Sequence, residues 1–242
     1  MITNIHIPPV VKNLLIINVI FFASMFMFTS SEGDYILVEQ LSVFYVDSPH
    51  FRIWQPITYM FMHSPVTFAH IFFNMFALFM FGGVLESRWG AKRFLTFYMI
   101  TGLGALGLQW AVQAFEVYQI VGTPFPGEAL FSMSNLTINE QETLSGIYNG
   151  PMLGASGAVF GLLVAFGMLY PNTEMYVLFI PIPVKAKYLI PVYIIFELSL
   201  GVASVPGDSV AHYAHLGGAL LGFILVKLWK DKDNNRFYRY YE

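Results

Sequence analysis

Ser156 stands in Gly154-Ala155-Ser156-Gly157, at the head of an apolar run that continues to about Leu169. A hydroxyl in apolar surroundings needs a hydrogen-bond partner, and small neighbours let other helices approach closely. Two further polar groups interrupt apolar runs: His70-Ile71-Phe72-Phe73-Asn74, and His212 with His215 before Leu216-Gly217-Gly218. Serine with a neutral imidazole in reach is the minimal nucleophile–base pair. The imidazole takes the serine proton as the hydroxyl attacks a carbonyl, then returns it to the leaving amine. An oxyanion needs donors aimed at where charge develops. Asn74 supplies an amide NH2, His70 an imidazole N–H, and Ser156 its own backbone N–H near a helix start. Taken alone, the serine segment fits helix packing equally well.

Rival readings surround each of these residues. His212 lies one turn from His215 on nearly the same helix face. Gly218 and Gly222, three and seven residues beyond His215, favour His215, because they would let its helix press against the serine helix. His212 then reads as a wetter neighbour. Gly157 with Gly161, and Gly218 with Gly222, have the spacing of close helix packing, and Gly154 belongs to the same small-residue segment. His63 reads as an interfacial residue near the mouth of its helix. No Asp falls at the layer of Ser156, so the pair reads as a dyad. Glu197 marks either a wet gate or a simple polar contact. His70, His212 and His215 could in principle bind zinc. No HExxH pattern or intramembrane carboxylate cluster accompanies them, so neither metal nor cofactor is expected.

The elements that must position these residues follow from composition. Of 242 residues 56% are hydrophobic and only 11% charged, against roughly 25% charged in soluble domains. That leaves too little polar surface to cover the outside, and the bilayer is the natural solvent for the excess. The net charge of −3 gives no sign of a nucleic-acid partner. The absence of cysteine excludes disulfides, thiolate metal sites and a cysteine nucleophile.

Six apolar spans are expected, at about 11–29, 67–85, 94–115, 151–169, 188–205 and 209–229. They form one membrane domain over 1–230, followed by a charged, tyrosine-rich tail at 231–242. Residues 30–66 read as an interfacial loop, and 116–150 as a long polar insertion free of Lys and Arg. Numbering the links alternately inside and outside gathers every Lys and Arg except Arg52 on one side. This is the positive-inside pattern with both termini cytoplasmic. The expected fold class is therefore an all-α polytopic membrane protein.

Spans two, four and six then enter from the outside. At 1.5 Å per residue Ser156 and His215 come out roughly 9–10 Å down, with His70 and Asn74 in the same outer layer. Polar residues within spans are costly and face a partner or a wet cavity.

At these residues the chain resembles the rhomboid family of intramembrane serine proteases. The matching pieces are His70-Ile71-Phe72-Phe73-Asn74, Gly154-Ala155-Ser156-Gly157 and Ala214-His215-Leu216-Gly217-Gly218 with Gly222 beyond, in the family's order. Glu86-Ser87-Arg88-Trp89-Gly90 fits the family's end of the second helix, and the resemblance covers about Trp54 to Leu228. Two departures stand out. Trp54-Gln55 replaces the family's frequent Trp-Arg, and the 116–150 insertion is longer than in minimal bacterial members.

The resemblance implies a six-helix core, a Ser156–His215 dyad and an oxyanion hole lined by Asn74 and His70. It implies an endopeptidase of a bacterial inner membrane acting on transmembrane segments of other proteins within the lipid bilayer. Substrate would reach the site laterally past the fifth helix and the Gly207-Asp208 turn. The alternative is an inactive membrane chaperone or binding protein on the same scaffold. Oligomeric state and substrate identity are not encoded in these features.

Overall fold

The computed structural model describes residues 7–127, 130, 135–177, 180–203 and 211–239. Along the chain these are α1 (Pro9–Met25), α2 (Ile36–Leu41), α3 (Gln55–Thr58) with a 3-10 turn at Tyr59–Phe61, and α4 (Phe68–Ala77). A widened π-type turn at Leu78–Gly82 carries α4 into α5 (Gly83–Trp89). Next come α6 (Ala91–Val121), α7 (Ile138–Asn149) and α8 (Ser156–Leu169). A hairpin of β1 (Glu174–Val177) and β2 (Ile180–Lys185) leads to α9 (Ala186–Ala203) and α10 (His212–Arg239). The expected Gly207-Asp208 turn, the end of the fifth span at Val205 and the start of the sixth at Ser209 lie outside the described residues.

Among the described residues, three stretches are long and apolar enough to cross a bilayer: Phe68–Trp89, Ala91–Val121 and Ala186–Ala203. Pro9–Met25 and Ser156–Leu169 are apolar but shorter. Large apolar side chains such as Phe72, Phe76, Val192, Phe196 and Val202 point outward from α4 and α9. In a bilayer these faces meet hydrocarbon, and helical backbone leaves no polar group unpaired there.

Several boundaries differ from expectation for identifiable reasons. α1 stops at Met25, not Thr29, because Thr29 forms a bridge with Tyr35 that turns the chain outward. α6 is 31 residues long and is bounded by Gly90 and Gly122, both at positive φ (79° and 78°). It therefore reaches into what reads as the polar insertion. That insertion also holds α7, whose start is a capping box between Thr137 and Glu140. α7 is tied to the first loop: the Tyr148 hydroxyl donates to Asp47 (2.8 Å) and the Ser48 hydroxyl to the Tyr148 carbonyl (2.6 Å).

The fourth helix departs most. It begins at Ser156, not Pro151, because Met152 exchanges both backbone hydrogen bonds with Val43 (2.8 and 2.9 Å) and Gly154 N–H donates to the Tyr59 carbonyl (3.0 Å). With 14 residues, α8 is about 21 Å long, short of a hydrocarbon core of about 30 Å. Ser156 is thus the first residue of its helix, reached through the extended lead-in 151–155.

The β1–β2 hairpin was not apparent from the prolines that punctuate this link. Pro181 and Pro183 fit there because a two-stranded ribbon has a free edge on each strand, where a missing N–H costs no ladder bond.

The centre of the bundle is α8 between α6 and α10. α8 is buried from Gly157 through Leu162, as a helix apolar on all sides should be. A Cβ on Gly218 would run into the Gly157 carbonyl, and one on Gly222 would lie 2.8 Å from the Gly161 Cα. One on Gly217 would lie 2.8 Å from the Gly104 carbonyl of α6. The three helices therefore approach backbone to backbone. At the far end, buried Glu86 accepts hydrogen bonds from the N–H groups of Val10 (2.9 Å) and Val11 (2.7 Å), supplying acceptors for the start of α1. In the first loop, buried Gln55 accepts from Arg52 N–H (3.0 Å) and donates to the His50 carbonyl (3.1 Å). The Gln that replaces the family's Arg is thus a loop staple.

Candidate active site

Ser156 opens α8, so its backbone N–H belongs to the unsatisfied first turn, at the positive end of the helix dipole. Its side chain points to α10, where His215 Nε2 lies 2.9 Å from Ser156 Oγ. The contact exists because Gly218, one turn beyond His215, sits against Gly157, the residue next to Ser156.

The imidazole is held on its face and on its far edge. Phe160, one turn after Ser156, stacks on the His215 ring with centroids 4.3 Å apart and planes 7° from parallel. Tyr193 of α9 stacks in turn on Phe160 at 5.2 Å. Beyond the ring, Glu197 Oε2 lies 2.9 Å from His215 Nδ1 and 2.7 Å from His212 Nδ1. An ionised carboxylate only accepts, so opposite an ionised Glu197 both imidazoles would carry their proton on Nδ1. His215 Nε2 is then a bare lone pair facing the serine O–H, as a general base requires.

Two expectations change here. The pair is not isolated: Glu197, on the fifth long helix, supplies a carboxylate that a search confined to Asp overlooks. His212 is not wetter than His215; the two are 7% and 8% exposed and share one carboxylate oxygen. Phe160 was also overlooked. The available signals were an acid inside an apolar span and an aromatic one turn from the serine.

The second wall comes from α4. His70 Nδ1 accepts the Ser64 backbone N–H (3.2 Å), which leaves the proton on Nε2. Gly154 adopts φ +134°, a region that favours glycine, and a Cβ there would lie 3.0 Å from His70 Nε2 and 3.5 Å from Ser156 Oγ. The missing side chain is therefore the notch between the serine oxygen and an N–H donor. Asn74 is buried one turn along α4 and donates one N–H to the His70 carbonyl (2.8 Å).

His63 is fully buried, not interfacial, with its ring 5.2 Å from that of His70. Burial, reinforced by the neighbouring His70, pushes its pKa down from 6.5 to about 3. The chain from Tyr59 to His63 folds inward behind α4 and is buried along most of its length.

Glu197, His212 and His215 also offer ligand atoms within 4.8 Å of one another. Those same atoms are engaged in the two N–H···O bonds. A cation there would have to strip Nδ1–H from His215, so metal binding and the serine-facing tautomer exclude each other. His70 is not part of that cluster.

An apolar bundle of this kind, with a serine–histidine contact inside it, defines an integral membrane protein. Residues 50–230 match the family model of the Rhomboid domain, and the chain belongs to the rhomboid family. It is 30% identical to Rhomboid protein 1, mitochondrial, of Saccharomyces cerevisiae, over 65% of this chain and 37% of that protein. To RHOMBOID-like protein 4 of Arabidopsis thaliana it is 28% identical, over 71% of this chain and 33% of the relative. To Rhomboid protease GlpG of Yersinia pseudotuberculosis it is 22% identical, over 84% of this chain and 58% of the relative. The chain thus spans about a third to three fifths of the length of these relatives.

Proposed function

We propose that this chain is an intramembrane serine endopeptidase that cuts transmembrane segments of other membrane proteins near the outer leaflet. Ser156 is the nucleophile and His215 the general base and acid. The observation that carries this reading is the 2.9 Å contact from His215 Nε2 to Ser156 Oγ, made by residues of two different helices inside an apolar bundle. A binding-only role on the same scaffold would leave that contact without use.

As Ser156 Oγ attacks the scissile carbonyl, its proton passes to His215 Nε2. The carbonyl electron pair moves onto oxygen, where the backbone N–H of Ser156, the Nε2–H of His70 and the amide of Asn74 would stabilise it. Nε2 then hands the proton to the leaving amine, and water repeats the sequence on the acyl-enzyme. Gly154 keeps the space for the oxyanion open, while Gly157, Gly218 and Gly222 bring the base to the nucleophile. Six spans with both termini in the cytoplasm place Ser156 toward the outer face, supported by the distribution of Lys and Arg. A bacterial plasma membrane is the compartment we favour, in keeping with the similarity to the Yersinia protease.

The experiment is proteomics of membranes and medium from cells carrying wild-type chain or Ser156→Ala. Ectodomains released only by the wild type support the reading. Identical release from both would refute it.

A further inference from the structure

We propose that Glu197 completes the site as a positioning residue, making the dyad a Ser156–His215–Glu197 triad assembled from three helices. The proposal rests on the reading of Ser156 and His215 as nucleophile and base. Each member lies on a different element: Ser156 on α8, His215 on α10 and Glu197 on α9. Glu197 is 5% exposed, and an acid in an apolar helix is retained only where something compensates it. Two Nδ1–H groups do so here, at 2.9 Å from His215 and 2.7 Å from His212.

The carboxylate has two tasks during the reaction. Before attack it accepts from Nδ1–H and so keeps the Nε2 lone pair turned to Ser156. During attack the Ser156 proton moves to Nε2 as the Oγ–C bond forms, and the ring becomes an imidazolium. Glu197 then faces that positive charge across the same Nδ1–H···O contact and takes no proton itself. When Nε2 protonates the amine and the C–N bond breaks, the ring returns to its neutral Nδ1–H form. His212 donates throughout, which holds the carboxylate in place when the ring of His215 shifts.

There is a consequence for access. Because α9 supplies this group, its Glu197 turn must remain docked on α10 whenever chemistry occurs. A second clip supports that docking: the Tyr213 hydroxyl of α10 donates to the Gly201 carbonyl of α9 (3.0 Å). A substrate that enters past α9 must either leave this turn in place or let it return before attack.

The test combines kinetics with imidazole spectroscopy in detergent or bilayers. In wild-type protein carrying 15N-histidine, the His215 signals should show one tautomer, with Nδ1 protonated and Nε2 bare. Glu197→Gln should mix the tautomers and lower kcat by about 10²–10⁴-fold with little change in KM, since a misoriented catalytic imidazole costs on that order. Glu197→Asp should restore part of kcat and the single tautomer. Rapid labelling of Ser156 by a fluorophosphonate should slow in parallel. A purely structural contact would lower thermal stability without mixing the tautomers.

A wild-type spectrum with Nε2 protonated on His215 would overturn the proposal without any variant. So would wild-type kcat in Glu197→Gln, or a wild-type activity lost to chelator and restored by zinc. If Ser156→Ala still cleaves, the protease reading itself fails. If Ser156→Ala is inactive and Glu197→Gln is fully active, only the role of Glu197 fails.

Discussion

Gly218 of α10 rests directly on the backbone of Gly157 of α8, with no room for a side chain between them. That contact lies next to Ser156 in α8 and one turn beyond His215 in α10. It sets the separation of the two helices where their side chains meet. Gly218→Val should push the helices apart and uncouple the base from the nucleophile. Fluorophosphonate labelling should fall by two orders of magnitude or more, on the order of losing the base's share of catalysis. Gly222→Ala is a milder probe four residues further on. Overpacking of this kind costs about 1–3 kcal/mol, read as a lower midpoint of thermal unfolding with labelling partly retained.

Gly154 answers for a different space. Its φ of +134° disfavours any residue with a Cβ, and the Cβ would fill the notch beside His70 Nε2 and Ser156 Oγ. Gly154→Ala should cost about 1–3 kcal/mol through backbone strain. Its effect on kcat should be larger, about 10²–10³-fold, because the oxyanion loses its place. Parallel measurement of thermal unfolding and turnover separates the two effects.

In the proposed mechanism the donors on α4 act on charge that exists only in the transition state. Asn74→Ala and His70→Phe should each lower kcat by about 10²–10³-fold while leaving KM nearly unchanged. Steady-state kinetics on a transmembrane substrate checks this. Asn74→Ala also removes its side-chain hydrogen bond to the His70 carbonyl, so the variant's unfolding midpoint belongs beside its kcat.

His63 predicts a pH dependence of stability. Burial holds its folded pKa at about 3, below the ordinary 6.5. Above pH 6.5 both states are neutral and the residue adds no slope. Between pH 6.5 and about 3 the unfolded chain takes up a proton that the folded chain refuses. Stability then falls with decreasing pH by up to about 1.4 kcal/mol per unit from this group. Denaturation of wild type and His63→Phe at pH 7 and pH 5 should show the flatter profile in the variant. Equal slopes would mean that His63 can be protonated in place.

The amino-acid pattern already brought Ser156 and His215 to neighbouring helices at similar depth, because glycine spacing and charge placement are local signals. Other features needed the folded chain. The late start of α8 depends on the pairing of Met152 with Val43, two segments far apart in sequence. α9 is apolar on nearly every side, so nothing in its pattern reveals that the Glu197 turn faces α10. Phe160 looks like any other apolar residue of its helix until the His215 ring lies on it. His63 reads as interfacial from its neighbours for a similar reason: its burial comes from the way 59–63 turns inward, which local polarity does not report. The β1–β2 hairpin is hidden in the sequence because its prolines suggest a break, yet the ribbon's edges tolerate them.

The most direct measurement is peptide mass spectrometry of the intact protein after treatment with a fluorophosphonate, alongside cleavage of a transmembrane substrate. The account predicts a single adduct on Ser156 in the wild type, none in Ser156→Ala or His215→Ala, and cleavage only where the adduct forms. Absence of an adduct on Ser156 in wild-type protein that cleaves, or cleavage by Ser156→Ala, would contradict it.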